Sequence, residues 1–178
     1  MQTVTFVTSN VNKLAEARAI LAFPIINRAL ELYEMQSLDT EEIVAHKLRE
    51  AYEQVGGPVI VEDVSAELES LNGLPGPFIK FFEQKLGKDA LYKLSKTKND
   101  KVKIICCLGY YDGKKQIFVN GILHGILVAP RGNNGWGFDK VIEPNGHNQT
   151  MAEMSPDQKN TLSHRYKALT LLAKSLQV

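Results

Sequence analysis

The hydrophobic period of this chain changes from two to near 3.6 within its first dozen residues. Thr3 to Thr8, TVTFVT, alternates β-branched and aromatic residues and predicts a strand. The residues after Asn12, KLAEARAILA, carry apolar side chains at helical spacing. A strand that runs into a helix through Ser9, Asn10, Val11 and Asn12 commits the chain to mixing the two elements. The alternation continues. A helical pattern covers Thr40 to Val55, stopped by Gly56, Gly57 and Pro58, and Pro58 to Val61 reads as a short apolar strand ending at Glu62 and Asp63. Leu71 to Lys80, rich in Gly and Pro, predicts a shaped loop, followed by a helical run through Leu94. Lys101 to Tyr111, Lys115 to Asn120 and Ile122 to Val128 predict three strands, with turns at Asp112–Gly113 and Asn120–Gly121 that make an antiparallel meander. Ser155, Pro156 and Gln158 form a capping-box start, and Leu162 to Leu176 gives a final amphipathic helix. The expectation is one mixed α/β domain over residues 1–178, with two lobes and a central cleft.

Several function classes are disfavoured at once. The 178 residues suffice for one core without disulfides, and the net charge of +1 provides no field that would draw the chain to a nucleic-acid polymer or an acidic membrane. No apolar run approaches the ~18 residues of a membrane span, and the first twenty residues do not read as a secretory signal. Cys106 and Cys107 are adjacent, and neighbouring strand residues point to opposite faces. They are read as reduced, buried thiols of a cytoplasmic protein rather than a disulfide. No CxxC pair or HExxH is present, so zinc has no support. An RNA-binding domain is disfavoured because the basic residues form no stripe with repeated aromatics.

Three segments carry candidate chemistry. Thr8 to Lys13, TSNVNK, lies at a strand-to-helix junction, where backbone N–H groups and a first-turn lysine suit an anion; an ordinary capped helix start is the alternative. Glu62 and Asp63, with Glu34 more distant, offer hard oxygens of the kind Mg²⁺ takes together with substrate phosphates; capping or pairing with a lysine is the alternative. Gly135 to Arg165 gathers Trp136, Phe138, Asp139, Lys159, His164 and Arg165, which suits a flat, anionic ligand stacked on aromatic rings; loop-anchoring core aromatics and solvated basic residues are the alternative.

TSNxxK near the start, VEDxSxxxxxLNGLPGPFIKFF in the middle and GWGFD…P.G…T.AEM…KN..SHR..AL near the end resemble, in order and spacing, the inosine triphosphate pyrophosphatase family. The resemblance implies the family's α/β fold, of the anticodon-binding-like or Maf-like type, with a nucleotide cleft and a homodimer. It also implies Mg²⁺-dependent hydrolysis of ITP, dITP or XTP to the monophosphate and pyrophosphate, with Mn²⁺ as a substitute. By motif, Thr8, Ser9, Asn10 and Lys13 resemble the phosphate-binding turn, and Lys47 a second phosphate lysine. Glu34 and Asp63 resemble the metal carboxylates, and Asp63 also the catalytic residue that orients or deprotonates water. Trp136, Gly137, Phe138 and Asp139 resemble the base-and-ribose wall; Lys159, His164 and Arg165 resemble the group around the purine and its 6-oxygen. Three positions depart from the pattern: Ser9 for a frequent Gly, Val64 for Thr, and Lys140 for Pro. The rival reading is a nucleotide-binding or sensor protein that does not hydrolyse its ligand.

Overall fold

A computed structural model describes residues 3–96 and 100–176. The elements run β1 (Val4–Val7), α1 (Val11–Ile20), β2 (Ile25–Arg28), α2 (Thr40–Val55), β3 (Val59–Leu68), β4 (Pro75–Gly76), α3 (Ile79–Leu86), α4 (Ala90–Leu94), β5 (Lys101–Tyr111), β6 (Gln116–Leu127), β7 (Ile142–Pro144), α5 (Pro156–Leu162) and α6 (His164–Ser175). The seven strands form one mixed sheet in the order β2-β1-β3-β5-β6-β7, with β4 on β3. β1 pairs in parallel with β2 and β3, whereas β3/β4 and β6/β7 are antiparallel. Among the described residues, no helix is long and apolar enough to cross a membrane.

The chain divides into two compact units, the first comprising residues 1–63, 106–121 and 164–178, the second 64–105 and 122–163. In the first, Phe6, Leu14, Ile60, Cys106, Leu108 and Leu169 pack in one core cluster, and Val44, Leu48, Val59, Val61 and Cys107 in another. Cys106 and Cys107 thus enter different clusters, as strand alternation requires, and both are free thiols. α2 supplies Ile43, Val44, Leu48 and Ala51 from one face, each larger side chain worth about 1.5–3 kcal/mol on burial. In the second unit, Leu68, Ile79, Leu91, Ile104, Leu127 and Met151 form the core.

Three expectations need correction. β3 does not end at Glu62 and Asp63; it continues to Leu68 because Glu62 is paired inside the fold and Ser65, Ala66 and Leu68 are buried beyond it. The helical run after Lys80 is broken at Gly87 into α3 and α4. Asn120–Gly121 is not a turn, since β6 passes straight through it. Gly121 serves α6 instead: a Cβ there would lie 2.0 Å from the His164 carbonyl oxygen and 2.3 Å from the Ala168 nitrogen. The strand and helix backbones approach too closely for any side chain. Gly121→Ala is therefore expected to cost about 1–3 kcal/mol through overpacking, seen as a lower urea midpoint at unchanged slope; an unchanged midpoint would show that this contact yields freely.

Candidate functional site

The strand-to-helix turn of the first unit is built around Asn10. It is the N-cap of α1, its side-chain oxygen accepting from Asn12 N–H at 3.0 Å and Lys13 N–H at 3.3 Å, while Thr8 Oγ1 accepts from Asn10 N–H at 3.1 Å. Thr8 and Asn10 are partly buried and Ser9 is exposed. Two backbone donors of the helix start are thus already engaged by the cap, so Lys13 is the residue that brings a full charge to this turn.

Lys13 extends to Glu62, with Nζ 3.0 Å from Oε1. Glu62 also accepts the fork of Arg165, from Nε to Oε2 at 2.8 Å and from NH2 to Oε1 at 2.7 Å, and Arg165 NH1 donates to Glu16 Oε2 at 2.7 Å. Glu62 and Arg165 are both buried. Burial alone would push the Glu62 carboxyl up, but the charges and hydrogen bonds of Arg165 and Lys13 overcome it and hold the group well below the usual carboxylate range. Burial likewise favours a neutral Arg165, yet Glu62 raises its pKa further, so the guanidinium stays charged. His164, at the start of α6, is buried as well.

Lys47, on α2, places Nζ 3.0 Å from Asp63 Oδ1 and 3.9 Å from Glu34 Oε1. Glu34 sits in the segment between β2 and α2, where the neighbouring Tyr33 N–H donates to Glu50 at 2.8 Å. Two carboxylates from distant parts of the sequence therefore face the Lys47 ammonium, and their oxygens are of the hard type that a divalent cation takes together with phosphate and water. Among the described residues, no group of three or more His, Cys, Asp or Glu side chains could hold a metal. Desolvation pushes the Asp63 carboxyl above its ordinary value, more than the charge and hydrogen bond of Lys47 pull it down.

The second unit carries the aromatic segment. Trp136 N–H donates to Asp139 Oδ2 at 2.8 Å, and Lys159 Nζ, from α5, donates to the same oxygen at 2.7 Å while lying 5.3 Å from the Trp136 ring centroid. Gly137 begins a 3-10 turn that buries Phe138 and Asp139. Gly135 is required for this clasp, because a Cβ there would fall 2.4 Å from Asp139 Oδ2 at a φ of +76°. Arg131 fastens the preceding loop, donating to Glu143 at 2.7 Å and Glu153 at 3.2 Å.

Lys159, His164 and Arg165, which the motif reads as one group, are divided by the extended Ser163 between α5 and α6. Lys159 belongs with Asp139 and Trp136; His164 and Arg165 fall in the unit that holds Lys13 and Glu62. The sequence reading left Glu16 and Arg131 without a role; it offered Glu62 beside Asp63 as a hard oxygen for Mg²⁺ or a partner for a lysine, and the structure pairs Glu62 with Lys13 and Arg165. Glu62 and Arg165 are 103 positions apart, and only their charge within apolar surroundings hints at partners.

The Ham1 family model matches residues 4–175. The chain is 40% identical to the inosine triphosphate pyrophosphatase of Schizosaccharomyces pombe, over 99% of this chain and 96% of that protein. It is 42% identical to the protein of the same name from Ajellomyces capsulatus, over 99% and 97%. Among solved structures it resembles the Ham1 protein of Staphylococcus aureus, with a TM-score of 0.85 and 24% identity over 99% of this chain and 98% of that one. It also resembles a HAM1 protein from Coxiella burnetii, at 0.82 and 26% over 99% of both. Matched along nearly its whole length in sequence and in fold, the chain belongs to the Ham1 family.

Proposed function

We propose that the chain is a Mg²⁺-dependent nucleoside triphosphate pyrophosphatase that hydrolyses ITP, dITP or XTP to the monophosphate and pyrophosphate. The observation that carries this reading is Lys47 between Glu34 and Asp63, which brings a phosphate-binding cation and two hard carboxylates to one point. The balance of charge supports a cation requirement. Around Lys13, Lys47 and Arg165 stand four carboxylates, Glu16, Glu34, Glu62 and Asp63. Three cations already matched in this way cannot by themselves neutralise a triphosphate. Glu34 and Asp63 would hold a divalent ion, which would add positive charge and make a bound water more acidic.

The chain's own residues do the rest. Lys13 and Lys47 hold the phosphates, with Thr8, Ser9 and Asn10 shaping the turn beside them. Asp63, its carboxylate fixed by Lys47 at 3.0 Å, orients the attacking water and takes its proton. Trp136, Gly137, Phe138 and Asp139 form the base-and-ribose wall, with Lys159 anchored on Asp139. His164 and the rigidly held Arg165 recognise the purine 6-oxygen. No covalent nucleophile is needed, since phosphoryl transfer rests mainly on positioning and charge. The homodimer and a cytoplasmic location belong to the same proposal.

Turnover of ITP with Mg²⁺, repeated in excess chelator and after Mn²⁺ addition, tests this reading. Activity is expected to vanish with the chelator and return with either metal. Full activity in chelator would reject the cation's role, and ITP binding without turnover would favour the non-hydrolytic sensor.

A further inference from the structure

In the first unit, Glu62 meets both Lys13 and Arg165. Its Oε1 accepts from Arg165 NH2 at 2.7 Å and lies 3.0 Å from Lys13 Nζ, while Oε2 accepts from Arg165 Nε at 2.8 Å. Arg165 then reaches Glu16 at 2.7 Å. Lys13 and Glu16 are three positions apart on α1 and so share a face. The four groups form a chain of charges that leaves α1 at Lys13, crosses β3 at Glu62 and α6 at Arg165, and returns to α1. Such an ion pair is a poor device for stability alone, because well-packed apolar side chains of similar volume often do as well or better. Its geometric effect is specific: it fixes the direction of one ammonium and one guanidinium relative to the same carboxylate.

We infer that Glu62 is a positioning residue that sets Lys13 for the polyphosphate and Arg165 for the purine oxygen, so that a single side chain registers both ends of the nucleotide. This inference rests on the substrate reading above. With both oxygens engaged by cationic donors, Glu62 acts through Lys13 and Arg165 and is assigned no contact with the metal or the reacting phosphate.

The test compares wild type, Glu62→Gln and Glu62→Asp in two assays. Calorimetry with inorganic tripolyphosphate and Mg²⁺ reads Lys13 without any need for hydrolysis; kcat/KM for ITP and for ATP reads Arg165. For Glu62→Gln, tripolyphosphate Kd and the KM for ITP are each expected to rise about tenfold, the worth of one charge-assisted hydrogen bond. The ITP-to-ATP ratio of kcat/KM is expected to fall by a similar factor, with KM moving more than kcat. Glu62→Asp retains the charge needed for burial but is shorter by one methylene, and should shift all three quantities in the same direction by a smaller factor. It also carries the test if Glu62→Gln does not fold. Unchanged tripolyphosphate affinity and an unchanged ratio would overturn the inference. Tighter tripolyphosphate binding would overturn it too, by making Glu62 a competitor of the phosphates. If wild type fails to hydrolyse ITP, the substrate reading falls, while the tripolyphosphate arm still decides whether Glu62 positions Lys13.

Discussion

Asp63→Asn is expected to lower kcat by roughly 10²–10⁴-fold, the usual worth of a positioned acid or base, while the KM for ITP changes little. The substitution preserves size but removes the negative charge that Lys47 holds at 3.0 Å. Interactions made chiefly in the transition state appear in kcat, whereas uniform binding appears in KM. Lys13→Ala provides the contrast, since its loss should fall mainly on triphosphate binding. Wild-type turnover in Asp63→Asn would remove Asp63 from the chemistry.

Arg165 carries the second large effect, and the structure decides how to probe it. Replacement by Ala would leave buried Glu62 and partly buried Glu16 without their shared partner, at a cost of about 3–5 kcal/mol in stability. Arg165→Lys keeps the charge and removes the planar fork, which is not a conservative change at a bidentate site. Hypoxanthine and xanthine offer an oxygen acceptor at C6, where adenine carries an amino donor. A fixed donor therefore pairs with the former and opposes the latter. kcat/KM for ITP should fall by about 10–100-fold in Arg165→Lys, the worth of one or two charge-assisted hydrogen bonds, with kcat/KM for ATP nearly unchanged. An equal loss for both nucleotides would move Arg165 from base recognition to phosphate binding.

Local signals carried much of the fold. α2 occupies Thr40–Val55 because Asp39 caps it and Gly56 ends it; the Asp112–Gly113 turn and the Ser155–Gln158 capping box stand where their residues demand. The failures come from partners far away in sequence. Glu62 and Asp63 look like the end of a strand until Arg165, Lys13 and Lys47 arrive to satisfy them. Asn120–Gly121 looks like a hairpin turn until α6 presses its backbone on Gly121. The site shows the same division. Trp136, Asp139 and Lys159 lie together as their shared segment suggested. Arg165 follows Lys159 closely in sequence but is held by Glu62 and Glu16, a placement no local pattern encodes.

The products of ITP test the central chemistry most directly. With Mg²⁺ present, IMP and pyrophosphate should appear in equal amounts from the first turnover, with no IDP, because the proposed cleavage lies between the α- and β-phosphates. Stepwise release of orthophosphate through IDP would contradict it.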